Sequence, residues 1–204
     1  VTGHWDRAVF FHEDLDVFPS SHGVTSRFGS GWDIAYSAQN PEFLVANIYD
    51  HRQCCGTPTS PDNQAAYSMD GGRNWTTFAG IATGQWPSTY KFGNIAVAAI
   101  DTNNIVVLPT NNLAPMYSTD RGVTWTITSL PYNDGTPGSH PYYYTWRSVV
   151  AADNVLDHTF YILHTATNRV YMSTDGGATW KNTSKCCLHN VSMMRRSLTS
   201  FSII

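Results

Sequence analysis

Charge is scarce in this sequence: only 13% of its 204 residues are Asp, Glu, Lys or Arg, and the formal net charge is −3. Such a balance offers no basic footprint for nucleic acid or an anionic membrane. No apolar run reaches the roughly 20 residues of a membrane-crossing helix, and helical periodicity is absent along the chain. There is neither a Gly-x-Ser-x-Gly elbow nor a glycine-rich phosphate loop, which sets aside serine-hydrolase and nucleotide-binding readings. The chain starts at Val1 with no signal peptide, so the expectation is a removed leader or an excerpt of something longer.

Cysteine is also sparse. The four cysteines form two adjacent pairs, Cys54-Cys55 and Cys186-Cys187, and their spacing fits no zinc pattern. Neighbouring cysteines seldom bridge each other, because disulfide geometry is hard to meet across one peptide bond. A bridge between the pairs stays open. Three Asn-x-Ser/Thr sequons, at Asn74, Asn182 and Asn190, are usable only in a eukaryotic secretory setting. Together these features point to an extracellular, secreted protein that needs no cofactor.

What the chain does have is a repeated phrase. Ser68-Met69-Asp70-Gly71-Gly72-Arg73-Asn74-Trp75, Ser118-Thr119-Asp120-Arg121-Gly122-Val123-Thr124-Trp125 and Ser173-Thr174-Asp175-Gly176-Gly177-Ala178-Thr179-Trp180 all read Ser-x-Asp-x-Gly-x-x-Trp. The aspartates are 50 and 55 residues apart, a period typical of propeller blades. The motif is the Asp-box. Its carboxylate can accept backbone N–H groups that follow it, its glycine supplies positive φ, and its tryptophan opens the outgoing strand. Asp70, Asp120 and Asp175 are therefore structural: they hold turns and do not cut bonds.

Each box joins the third and fourth of four strand-like runs. In the first unit the runs are Trp32–Ser37, Phe43–Tyr49, Ala65–Met69 and Trp75–Phe78. In the second they are Asn94–Ile100, Ile105–Leu108, Pro115–Thr119 and Trp125–Thr128. In the third they are Arg147–Ala151, Thr159–His164, Arg169–Ser173 and a run from Trp180. The expected fold is all-β, a partial β-propeller of about three four-stranded blades over residues 32–182. Propellers close with roughly four to eight blades, so three blades expose faces at both ends. Residues 1–31 form a loop segment with three of the eight histidines and one strand candidate, Val9–Phe11. Residues 183–204 continue no blade pattern and are expected to be an irregular, poorly ordered tail.

The opening His4-Trp5-Asp6-Arg7-Ala8-Val9-Phe10-Phe11-His12-Glu13-Asp14-Leu15-Asp16, the three Asp-boxes, and Gly93-Asn94-Ile95-Ala96-Val97 with Asn103-Asn104-Ile105-Val106 resemble glycoside hydrolase family 74. That is a family of xyloglucanases built from two seven-bladed propellers. The resemblance covers about residues 1–182 and corresponds to the start of the second propeller. It implies inverting hydrolysis of the β-1,4-glucan backbone of xyloglucan by two aspartates facing each other across a cleft. Asp6 falls on the family's catalytic acid, Phe10 lies near its aromatic and His12 falls on its histidine. Trp5 stands where glycine is usual, and Ala8-Val9 replace two glycines. The second aspartate belongs to the amino-terminal propeller, so the chain would hold half a site, completed by that propeller or by another copy.

Other residues could serve the substrate. Sugar C–H faces stack on aromatic rings, which makes Trp86, Tyr90, Tyr143 and Trp146 candidates, with Tyr142 and Tyr144 beside them. Inter-blade packing is an equal reading for the stretch 142–146. Trp32, Trp75, Trp125 and Trp180 read as core. Glu13, Asp14 and Asp16 read as a solvated loop, and His12 and His22 lack metal-ligand spacing. The alternative function is a non-catalytic Asp-box propeller that binds glycan or protein, as in sorting receptors and assembly factors. A sialidase would need an Arg-Ile-Pro segment, which is absent.

Overall fold

The computed structural model describes residues 1–3, 9–19, 30–49, 65–87, 90, 93–109, 113–131, 149–164 and 169–183. Three four-stranded antiparallel sheets follow one another along the chain. The first is β3 (Ser30–Ser37), β4 (Asn40–Tyr49), β5 (Ala65–Ser68) and β6 (Thr76–Thr77), in that spatial order. The second runs from β7 (Gly93–Val97) through β8 (Ile105–Pro109) and β9 (Met116–Ser118) to β10 (Thr126–Ile127). The third runs from β11 (Val150–Ala152) through β12 (Phe160–His164) and β13 (Arg169–Ser173) to β14 (Lys181–Asn182). Each sheet is a meander in which sequence neighbours pair, the arrangement of a propeller blade. The all-β, partial-propeller expectation is met.

The blades stack through their first strands, with β3 beside β7 and β7 beside β11. Polar side chains reach across these seams to backbone. Asp33 Oδ2 accepts the Ile95 N–H at 3.0 Å, and Asn94 Oδ1 accepts the Val149 N–H at 3.2 Å. Strands covered on both faces cannot alternate polar with apolar, and they read as continuous buried runs. Every residue of β7 and β8 is buried. β12 alternates buried and half-buried positions, as expected of a strand with one more open face.

The core lies in the seams. Phe43, Phe78, Trp86, Ile95, Val107 and Trp125 join the first two blades. Val106, Leu108, Phe160, Ile162, Tyr171 and Trp180 join the second and third. The boxes contribute to this: Trp125 comes from the second blade's turn, yet its ring packs against Phe78 and Trp86, which follow the first blade. The three tryptophans thus precede their strands by one residue, and Trp125 and Trp180 serve the seams between blades, while Trp75 packs within the first blade against Ala46, Ile48 and Val1.

Two elements differ from the sequence expectation. A single helical turn, α1 (Ala79–Ala82), follows β6. Four residues are too few to show helical periodicity; the turn is held by tertiary contact, with Gly80 N–H donating to the Gly122 carbonyl at 2.8 Å. A Cβ at Gly80 would lie 2.7 Å from Trp125 Cδ1, so only glycine permits the approach. The second is β1 (Thr2–Gly3), which pairs antiparallel with β2 (Val9–Phe10). The β2 candidate was legible; its two-residue partner carries no pattern of its own.

Candidate functional site

The β1–β2 hairpin packs beside β3, the first strand of the first blade. First strands line the axis in a propeller, so the β1–β2 pair stands on the axial side of the first blade. Asp6 belongs to the connection between β1 and β2 and lies outside the described residues. Thr2 pairs with Phe10 and Gly3 with Val9 in register, which brings the two ends of that connection together.

Downstream, His12 is half-buried, while Glu13, Asp14 and Asp16 are exposed. Asp14 Oδ1 accepts the Asp16 N–H at 2.9 Å and the Asp14 carbonyl accepts Val17 N–H at 3.4 Å, an Asx-type turn. These acids shape a solvated loop. The segment is pinned to the first Asp-box at two points. The Arg73 guanidinium lies 4.4 Å from the Phe11 ring centroid, and a Cβ on Gly72 would meet Val1 Cγ2 at 2.5 Å.

The Asp-boxes themselves form a closed hydrogen-bond circuit, repeated three times. Ser118 Oγ donates to Asp120 Oδ1 at 2.8 Å and accepts the Gly122 N–H at 2.8 Å. Asp120 Oδ1 accepts Thr124 N–H at 2.8 Å, and Oδ2 accepts Thr124 Oγ1–H at 2.6 Å. Ser68–Asp70–Asn74 and Ser173–Asp175–Thr179 do the same. Both carboxylate oxygens are engaged in the turn, the role expected of an Asp-box aspartate. The Asn74 backbone N–H, then its amide, pull the Asp70 pKa down to about 2. Burial opposes ionisation of Asp120 and Asp175, but the Thr124 and Thr179 hydroxyls and N–H groups outweigh it, and both carboxyls sit below their ordinary range.

The residue four after each aspartate was missed as a member of this circuit. Its signal was available: Asn74, Thr124 and Thr179 all carry a side-chain donor there. One consequence concerns the sequon at Asn74, whose Nδ2 donates to Asp70 Oδ2 at 2.6 Å. That amide is engaged in the turn. Asn182 lies exposed in β14, and Asn190 lies outside the described residues.

Trp86 and Tyr90 are corrected from sugar-stacking residues to core. Each is 4% exposed. Trp86 stacks on Phe78 and meets Trp125 edge-on, with centroids 4.9 Å apart, and its Nε1–H donates to the Tyr90 carbonyl at 2.7 Å. A ring so enclosed has no face left for a sugar. Both residues precede the second blade in sequence, which suggested a surface loop; the segment instead folds inward over α1, with Trp86 N–H donating to the Gly80 carbonyl at 2.9 Å. Tyr143 and Trp146 lie outside the described residues, as do Tyr142, Tyr144, His22 and the four cysteines.

No protein-family model matches the chain. A xyloglucanase of Acetivibrio thermocellus is 31% identical over 188 residues, covering 90% of this chain and 18% of the relative. The oligoxyloglucan-reducing end-specific xyloglucanase of Emericella nidulans is 29% identical over 197 residues, covering 89% and 22%. Among solved structures, the family 74 xyloglucanase of Xanthomonas campestris superposes with a TM-score of 0.66 at 25% identity, covering 89% of this chain and 22% of that one. The chain therefore spans about a fifth of the length of the proteins it matches. In sequence and in fold together the chain is glycoside hydrolase family 74-like, a xyloglucanase-type stretch of three Asp-box blades.

Proposed function

We propose that the chain forms part of a secreted polysaccharide hydrolase that cleaves the β-1,4-glucan backbone of xyloglucan. The observation that carries this reading is the match to xyloglucanases along nine tenths of the chain. It is supported by the β1–β2 pair, which packs beside the first strand of the first blade and between whose strands Asp6 falls in sequence. Asp6 acts as the general acid: protonated, it gives its proton to the glycosidic oxygen as the bond breaks. A carboxylate on the opposite side removes a proton from water, which attacks the anomeric carbon and inverts it. That geometry needs the two carboxyl groups roughly 6.5–9.5 Å apart, with room for the water. In this reading the second carboxylate comes from a facing propeller, and His12, Tyr143 and Trp146 contact the sugar chain.

The test combines binding with turnover. Xyloglucan oligosaccharides should bind the chain, and reducing ends should appear from xyloglucan when the facing propeller is present. Asp6→Asn should remove release and keep binding. A folded chain that binds no xyloglucan contradicts the proposal, and release that persists in Asp6→Asn moves the acid elsewhere. Binding with no release under any assembly would leave a glycan-binding propeller.

A further inference from the structure

The second Asp-box departs from the other two at one position. Where the first and third carry Gly71 and Gly176, at φ 71° and 75°, the second carries Arg121 at φ 57°. A side chain in that left-handed region is strained, and glycine is the ordinary occupant. The repeat therefore gives up its favoured residue here to place a guanidinium in the seam between the first two blades.

That guanidinium is poorly satisfied. Its Nε is buried with no hydrogen-bond partner. One terminal nitrogen points to Met69 Sδ at 3.8 Å and the other reaches Thr102 Oγ1 at 3.4 Å, both weak acceptors or long contacts. The group lies 5.5 Å from the Phe43 ring centroid and 6.0 Å from that of Tyr67, which fixes its plane without neutralising it. No carboxylate among the described residues stands within ion-pair distance of it. The nearest in sequence, Asp120, is spent on Ser118, Val123 and Thr124.

Arg121 borders a cleft of about 360 Å³ that Tyr67, Thr76, Thr77 and Asn103 also line. The opening is large enough for a monosaccharide-sized ligand. Its chemistry is one forked cation beside hydroxyls and an amide, with the turn-bound Asp120 carboxylate and the apolar Ala79 and Val123 completing the lining. A guanidinium fork matches a carboxylate through two parallel N–H···O bonds, and the surrounding groups suit ring hydroxyls.

We propose that this seam binds a sugar acid, its carboxylate on Arg121 and its hydroxyls on the Thr76, Thr77 and Asn103 side of the cleft. The site lies at the outer strand of the first blade, and it does not depend on the hydrolase reading. It would give the propeller a second, charge-selective contact with acidic polysaccharide.

The probe is D-glucuronate, titrated into the chain by calorimetry, with glucose and acetate as comparisons. The expected result is saturable glucuronate binding that weakens with added salt and is at least tenfold tighter than that of either comparison. Arg121→Gly restores the residue of the sister boxes, so it should fold as well as the parent and bind glucuronate at least tenfold more weakly. Arg121→Lys keeps the charge but loses the fork, and should weaken binding at least threefold. No saturable glucuronate binding, equal affinity for glucose or acetate, or unchanged affinity in both variants would overturn the proposal. Should Arg121→Gly fail to fold, the packing role is dominant and Arg121→Lys decides: equal affinity there rejects the site.

Discussion

Asn104 Oδ1 lies 3.0 Å from His158 Nδ1, joining the second blade to the third through a pair of side chains 54 residues apart. The Asn104 amide nitrogen donates to the carbonyls of Ser118 and Gly176, at 3.1 and 2.9 Å. Those two bonds orient the amide, so its oxygen faces His158 Nδ1 as an acceptor. Asn104 is fully buried, and its removal leaves two carbonyls in the seam without donors. Asn104→Ala should cost about 2 kcal/mol. Urea unfolding would show this as a lower midpoint; an unchanged midpoint would mean that the blades are held by apolar contact alone.

Gly84 and Gly122 share a φ of 77° but not their surroundings. Nothing lies within 4 Å of a Cβ built on Gly84, whereas one on Gly122 meets Phe78 Cδ1 at 2.4 Å. Gly84→Ala should therefore cost about 1 kcal/mol, from the backbone alone. Gly122→Ala should cost a further ~2 kcal/mol, because Phe78 is locked between Trp86 and Trp125. The difference between the two denaturation midpoints measures how tightly the box seats on the preceding blade, and equal midpoints would refute that seating.

Acid should loosen the blades. Asp70, Asp120 and Asp175 are all held below the ordinary carboxyl range in the folded chain, Asp70 at about 2. A lowered folded pKa means that the unfolded chain takes up protons first as pH falls. The stability these groups supply is present above about pH 4 and is lost as pH falls below it, down to about pH 2 for Asp70. Asp70→Asn should flatten that part of the stability curve relative to the parent protein. A variant with the same slope would show that the box carboxylates do not set acid stability.

Trp86 separates packing from sugar contact. Trp86→Ala removes the ring between Phe78 and Trp125 and should cost about 4 kcal/mol. Any protein that remains folded should bind xyloglucan as the parent does. Weakened binding in the folded fraction, read by oligosaccharide titration, would return Trp86 to the substrate surface.

The repeat was legible because every box carries its own chemistry within eight residues: hydroxyl, carboxylate, glycine, donor, tryptophan. The strand spans followed from runs of apolar residues between turn formers, and β13 falls on Arg169–Ser173 as read. What local pattern could not convey is what one blade does to the next. Trp86 reads as a loop aromatic until Trp125, 39 residues later in the chain, is known to cover it. Gly80 looks like a loop glycine until the Gly122 carbonyl is placed against it. Arg121 looks like a tolerated variant of a turn until its guanidinium is seen with no carboxylate among the described residues to meet. These are seam properties, fixed by residues from two blades at once.

In the proposed reading the box aspartates hold turns while Asp6 transfers a proton, and a single assay of xyloglucan hydrolysis tests that division. Reducing-end release should be measured on the chain together with the proposed facing propeller, with Asp6→Asn and Asp120→Asn in parallel, each normalised to its folded fraction. The prediction is that Asp6→Asn abolishes release without lowering the unfolding midpoint, while Asp120→Asn lowers the midpoint and keeps full turnover per folded molecule. Release that survives Asp6→Asn, or is lost in folded Asp120→Asn, would contradict it.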